Sequence, residues 1–421
     1  MNLGITIRSG LSKFFLSIAV LVVCTGLLMG AVWYLVLGSL TDDRVELPVT
    51  LMTAWLEYFP DSPRLLARLS QAEAEGVERD LAKAEAHIRK AIELMPGEYS
   101  YRISLGSILE AGGDGEKAEQ AYREALKLAP NYIDTHWRLA NNLVRQGKVP
   151  ESLEHFKYST GRNLGLLPNA YDLIWNITGG DEGAIAAITS IAAKPLLTEA
   201  VFLAKQQKFD SAARIFRQVE KSKRRVEPES VVLVNELIAA QQAPLARDLW
   251  TDTLIDDPAK PAPLLWNGSF ESDISAEFGQ FDWKFRDNGF VRVVVDTQAA
   301  KSGQNSLRLT FLGKDTARIT DEIGQTLILK PGRKYQIDCS YRTMDLPSPA
   351  GPQLAVWDAA GTQIGASEPV PEGNKDWRTI SFTFTATTPV AMFRIQRIPK
   401  ASYDDPSRGV VWFDDFTIRE L

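Results

Sequence analysis

The sequence predicts three parts in series: one N-terminal transmembrane helix, an α-solenoid and a C-terminal β-sandwich of jelly-roll type. Three observations carry this. Phe14 to Leu40 is a run without a single charged residue. From about 80 to 163 a helical pattern recurs with a step of 34 residues. After Pro258 the apolar period falls from 3.6 to 2. A chain of 421 residues exceeds one ordinary core, so more than one domain is expected. The formal net charge is −6, and no basic run stands apart from acidic neighbours, which argues against a nucleic-acid partner. The two cysteines, Cys24 and Cys339, lie in unlike segments, so no disulfide framework is expected.

The first element is FFLSIAVLVVCTGLLMGAVWYLVLGSL, residues 14–40. About 20 apolar residues suffice to cross a bilayer as a helix. The run is longer than the apolar part of a cleaved signal and lacks a clear A-x-A site, so an uncleaved anchor is expected. Cys24 fits a lipoprotein signal poorly, because Val23 is bulky and the apolar run continues past it. Arg8 and Lys13 precede the span, and Asp42, Asp43 and Glu46 follow it. The positive-inside rule then makes residues 1–13 a cytoplasmic tail and sends the rest across a bacterial inner membrane into the periplasm.

The second element is the repeat. LAKAEAHIRKAIELMP ends at Pro96, EKAEQAYREALKLAP ends at Pro130, and ESLEHFKYST follows at the same step. Leu105, Gly106, Gly113, Ala118, Tyr122, Ala125 and Pro130 mark the clearest copy; Leu139, Ala140, Leu143, Gly147 and Phe156 mark the next. These spacings resemble the tetratricopeptide repeat, in which small residues let two antiparallel helices approach and large ones fill the next pair's groove. LLTEAVFLAKQQKFDSAARIFRQVE and SVVLVNELIAAQQAPLARDLWTDTL read as further, degenerate helix pairs, so residues 50–257 are expected to form one solenoid. The resemblance implies a protein partner on the concave face. Arg102, Asn141 and Asn142, on the first helices of their pairs, are the candidate contacts, against the alternative of a solvated face.

DDPAKPAP carries three prolines and is read as a linker over 258–263. Beyond it, SLRLTF, KYQIDCSY and WRTISFTFTA alternate apolar and polar residues between Gly, Pro, Asp and Asn clusters, as short strands do. NGSFES, KSGQNSLRL, LKPGRKYQIDCSYR, DWRTISFTFTA and GVVWFDDFTI stand in an order that resembles the jelly-roll carbohydrate-binding modules appended to xylanases, over about 264–421. The resemblance implies a structural calcium held by Glu271 and Asp414, with backbone oxygens near Ser302 and Gly303, Asp415 being the less favoured ligand. Without calcium, Asp414 would pair with an arginine such as Arg308 or Arg394, or bond to loop amides, since a bare buried carboxylate is costly.

The resemblance also implies a sugar stacked on an exposed aromatic ring. Trp283 and Trp357 are the candidate platforms; Trp377 and Trp412 begin apolar strands and read as core. No enzyme signature is found: His87, His136 and His155 all fall in repeat helices without metal-ligand spacing. The arrangement resembles membrane-anchored repeat proteins of exopolysaccharide or cell-envelope assembly. It reads as a non-catalytic scaffold that holds a protein partner on its repeats and a polysaccharide on its sandwich. The rival is a purely protein-binding adaptor for envelope biogenesis or secretion. A glycosidase would need two facing carboxylates about 5–10 Å apart in an open cleft.

Overall fold

The computed structural model describes residues 10–41, 47–76, 79–255, 262–275, 278–313, 318–347, 350–399 and 408–421. Arg8, Asp42, Asp43 and Glu46, on which the expected topology rests, lie outside these residues, as do 258–261 of the expected linker. Contacts divide the chain into two compact units, Met1–Ile188 and Thr189–Leu421.

The first unit opens with α1 (Gly10–Thr41), whose stretch Phe14–Val32 is long and apolar enough to cross a membrane. Helices α2 (Val49–Tyr58), α3 (Pro63–Glu75), α4 (Leu81–Leu94), α5 (Tyr99–Ala111), α6 (Gly115–Leu128), α7 (Ile133–Arg145) and α8 (Val149–Arg162) follow, then α9 (Leu167–Thr178) and α10 (Glu182–Ile188). Successive pairs start alike. The Asp80 carboxylate accepts the Lys83 N–H, and 34 residues on, Asp114 accepts that of Lys117, each filling one orphan donor of a helix start. They also pack alike. Ala84, Ala118 and Ser152 share one place in three pairs; Ile88, Tyr122 and Phe156 share the next; Ala91, Ala125 and Ser159 share a third. Every one of these is at 0% exposure. The serines that replace alanines in the third pair bond to their own helix backbone, so the close approach survives. At Gly106 a Cβ would stand 2.5 Å from the Tyr122 ring, so no larger residue fits between α5 and α6. The turn after α5 uses Gly113 at φ +85°, and the turn after α7 uses Gly147 at φ +77°, a conformation glycine adopts without steric cost.

The second unit begins with α11 (Ala193–Lys205), α12 (Phe209–Gln218), the short α13 (Lys221–Arg224), α14 (Pro228–Ala239) and α15 (Ala243–Leu254). The sequence places these helices in the solenoid; the contacts group them with the sandwich. The reason lies in α15. The Trp250 indole, fully buried, donates through Nε1 to the Phe278 carbonyl at 2.7 Å and packs edge-on against Trp266 and Phe281. The Arg247 guanidinium donates to the carbonyls of Pro263 (2.9 Å) and Phe281 (3.3 Å), and burial pulls its pKa down to about 10.

The sandwich has two five-stranded antiparallel sheets. One runs β1 (Lys284–Phe285), β4 (Ile323–Ile328), β9 (Val390–Gln396), β6 (Gln353–Asp358), β7 (Gln363–Ala366). The other runs β2 (Val291–Asp296), β3 (Ser306–Leu312), β10 (Arg408–Glu420), β5 (Lys334–Leu346), β8 (Gly373–Thr385). Period-2 alternation sends Leu307, Leu309, Phe311, Tyr335, Ile337, Cys339, Phe382 and Phe384 into one core. Strand β10 breaks the alternation. Its pairing with β5 shifts between Asp414 and Thr417, where Asp415 takes φ +53°. This bulge returns Phe416 to the core face that Phe413 occupies, while Asp414, buried as well, is held by the 301–302 loop.

Candidate functional site

The two aspartates of WFDDF sit in a clasp that joins the two ends of the sandwich. Phe416 N–H donates to the Gly268 carbonyl at 2.9 Å. Glu271 Oε1 accepts the N–H groups of Gln304 (2.9 Å) and Asn305 (2.8 Å). Asp414 Oδ2 accepts those of Lys301 (2.7 Å) and Ser302 (3.2 Å), and its Oδ1 that of Asp415 (2.7 Å). The Ser302 hydroxyl donates to the Asp415 carboxylate. One loop, 301–305, is thus gripped by two carboxylates from far apart in the chain. Of the partners weighed for Asp414, loop amides are the ones found. Arg308 instead faces Asp296 at 3.4 Å, and Arg394 belongs to the opposite sheet. Burial pushes the Asp414 carboxyl up, against the pull of its amide bonds.

The fit of a calcium ion to this clasp rests on Glu271, Asp414 and the loop itself. Gly303, at φ +60°, has room for no side chain: a Cβ would lie 2.4 Å from Glu271 Oε1. Among the described residues no three His, Cys, Asp or Glu side chains group as a metal site. A shell here would therefore need backbone oxygens beside the two carboxylates.

Trp283 corrects an expectation. It is interior, at 3% exposure, stacked on Phe285 and packed against Phe270, Phe393 and Phe416, with Nε1 donating to the Asn267 carbonyl at 3.0 Å. The NGSFES loop folds over it, so it serves the core and offers no ring to a ligand. Trp412 is buried as expected, but Trp377 is only half-buried.

Trp357 is half-buried on the outer side of its sheet. In β6, Leu354 and Val356 point into the core, which leaves Gln353, Ala355 and Trp357 on the outer face of the sheet. Its Nε1 donates to Gln396 Oε1 at 3.0 Å, and Gln396 donates in turn to Gln363 at 2.9 Å. The Arg394 guanidinium lies 5.4 Å from the indole centroid. Across the strands, Ala355, Arg394, Gly324 and Lys284 form one row by register. Beside that row opens a pocket of about 360 Å³ whose lining includes Lys284, Gly324, Met392 and Arg394. The face offers one aromatic ring, amides and two cations, with Arg286, Asp321 and Glu322 also lining the pocket, a set of groups that suits binding of a polar ligand. Arg394 and Gln396 were legible as polar residues alternating inside VAMFRIQ, a signal that the apolar pattern of the strand obscured.

In the first unit the open surface lies on α3 and α5. A pocket of about 520 Å³ is lined by Arg64, Arg68, Gln71, Tyr101 and Ser104 among others, and a smaller one continues past Ser107 to Arg138. The predicted contacts are elsewhere. Arg102 donates to the Pro96 carbonyl at 2.6 Å and faces Glu124 at 3.6 Å. Asn141 donates to the Trp137 carbonyl of its own helix. Asn142 is a correction: it is buried, at 2% exposure, and accepts from Gln146 at 2.6 Å, so it cannot meet a partner. The neighbouring turns of α3 and α5 that form the pockets carry no motif, which is why the sequence did not single them out.

Residues 69–133 match the tetratricopeptide repeat family model. The helix pairs there are such repeats. Cellulose synthase operon protein C of Xanthomonas axonopodis pv. citri (strain 306) is 35% identical over 92 residues, which make up 22% of this chain and 6% of that protein. Similar solved structures include the CBM22-1 xylan-binding domain from Paenibacillus barcinonensis Xyn10C, with 19% identity over 39% of this chain and 97% of that one, at a TM-score of 0.27. MamA is similar at 18% identity over 37% of this chain and 89% of that one, with a TM-score of 0.31.

Proposed function

We propose that the protein is a non-catalytic scaffold of the bacterial envelope, anchored in the inner membrane by α1 with the bulk of the chain in the periplasm. Its repeats hold a protein partner in the groove of α3 and α5. Its sandwich holds a polysaccharide against Trp357, within exopolysaccharide or cell-envelope assembly. The observation that carries the glycan reading is the Trp357 indole, set on an outer sheet face and oriented by Gln396 beside an open pocket. The partial likeness to a protein named for a cellulose synthase operon supports it. Anchoring both sites on one chain raises the effective concentration of one ligand for the other.

Calcium, if bound, would be held by Glu271 and Asp414 and would supply positive charge to a buried carboxylate, tying the sandwich ends together without chemistry. A fall in melting temperature on adding chelator tests this; an unchanged melting temperature would leave the amide bonds as the whole of the clasp.

The full-length protein in detergent, run through gels containing single bacterial or plant polysaccharides, tests the glycan reading. Retardation by at least one polymer is expected. Retardation by none, with the protein folded, would favour the second reading, a purely protein-binding adaptor. The burial of Trp283 speaks for that reading, because it removes one of the two expected platforms. Protease access to the repeats in spheroplasts but not in intact cells is expected from the topology; protection in spheroplasts would overturn it.

A further inference from the structure

The row Lys284, Gly324, Arg394 on the outer face deepens the glycan reading and rests on it. Lys284 and Arg394 are two strands apart, about 10 Å at the usual strand spacing. Between them is Gly324, which leaves a gap where every other residue would raise a side chain; a Cβ there would already stand 2.4 Å from the Phe393 carbonyl. Among the described residues neither cation forms an ion pair. The enclosed Arg394 Nε has no acceptor at all. The acids near them are engaged. Asp321 pairs with Arg286 at 3.2 Å. Glu322 accepts the N–H groups of Thr320 (2.6 Å) and Asp321 (3.0 Å) and the Asn288 amide (3.2 Å). The pocket of about 360 Å³ is also lined by Arg286, Asp321 and Glu322, whose charges are engaged by one another and by neighbouring N–H groups; Lys284 and Arg394, outside those pairs, stand over a bare floor beside the Trp357 ring and leave a place for an anion carried on a ring.

We infer that this face selects polysaccharides whose sugars bear a carboxylate, with Arg394 and Lys284 receiving the carboxylate and Trp357 the sugar ring. Arginine suits this because its planar fork matches a carboxylate with two parallel hydrogen bonds. A neutral glycan would leave both cations unmatched.

The test compares the full-length protein on gels containing polygalacturonate, alginate or hyaluronan with gels containing the same polymers after reduction of their carboxylates to alcohols. Neutral cellulose derivatives and xylan run alongside. At least one acidic polymer should retard the protein about tenfold more strongly than its reduced form, and the difference should shrink as salt rises. Arg394→Gln and Lys284→Ala should erase the preference for the acidic form, whereas Trp357→Ala should weaken binding to every polymer. Because the native and reduced polymers are compared on the unaltered protein, a misfolded variant cannot decide the result. Equal retardation by native and reduced polymers, or retardation by neutral polymers alone, would overturn the inference and leave the scaffold reading standing. Retardation by no polymer would overturn both.

Discussion

The repeats and the sandwich close their cores over very different lengths of chain. In the first unit, Ser70 bonds to Ala84 and Tyr122 to Glu110, partners 14 and 12 residues apart. In the sandwich, Asp414 bonds to Lys301 across 113 residues, and Trp412 Nε1 bonds to Asp296 across 116. A repeat needs only its neighbours, so damage to one pair stays near that pair. The sandwich is shut by residues from its two ends, so damage to the clasp reaches the whole sheet packing. The ties of longest sequence separation therefore lie in the sandwich, and the most readable sequence lies where closure is most local.

The largest effect should come from the helix that the contacts group with the sandwich. Trp250→Ala removes a fully buried indole and its bond to Phe278, and should cost the second unit about 3–5 kcal/mol. Hydrogen exchange read segment by segment should show faster exchange in the strands and no change in α4 to α7. Unchanged strands would return α15 to the solenoid. Asp414→Ala should come next: it leaves the amides of Lys301, Ser302 and Asp415 without an acceptor, and should cost about 3 kcal/mol in denaturant unfolding, with Asp414→Asn costing less. Gly106→Ala should destabilise the first unit by about 1–3 kcal/mol, since its Cβ meets the Tyr122 ring. Exchange should rise in α5 and α6 alone; spread into the sandwich would break the contrast between local and non-local closure.

The smallest effect is one of pH, with opposite signs in the two units. Burial, then the neighbouring His136 and Arg123, push the His155 pKa below the ordinary 6.5. The unfolded chain then takes up the proton first. The contribution is whole above pH 6.5, and is lost as pH falls from there toward the folded-state value. His155→Asn should flatten that slope in the melting temperature of the repeats. In the second unit, burial raises the carboxyls of Asp282 and Asp414 above 3.8. There the folded state takes up the proton first, so their contribution grows as pH falls through the folded-state values toward 3.8. A matching loss near pH 6 in both units would contradict these assignments.

The repeats were legible because a small residue recurs at one place: the 34-residue step from Ala84 to Ala118 to Ser152 is itself the packing. The strands were legible from period 2. What escaped were departures from regular geometry. Alternation would send Phe413 and Phe416 to opposite faces; the bulge at Asp415 puts both in the core. Asn141 and Asn142 look equivalent in sequence, but adjacent residues on a helix point about 100° apart, so Asn141 stays half-buried against its own helix while Asn142 enters the core. Trp283 enters a short strand and Trp357 ends one before a turn, and the loop closing over Trp283 buries it.

The division of labour between groove and sheet face can be tested in one experiment on the full-length protein. Wild type, Trp357→Ala and Ser104→Arg, the last filling the groove between α3 and α5, are run through the same polysaccharide gels. The account predicts that Trp357→Ala loses its retardation and that Ser104→Arg keeps it at the wild-type value. Loss with Ser104→Arg, or full retention with Trp357→Ala, would contradict the assignment of the glycan to the sandwich.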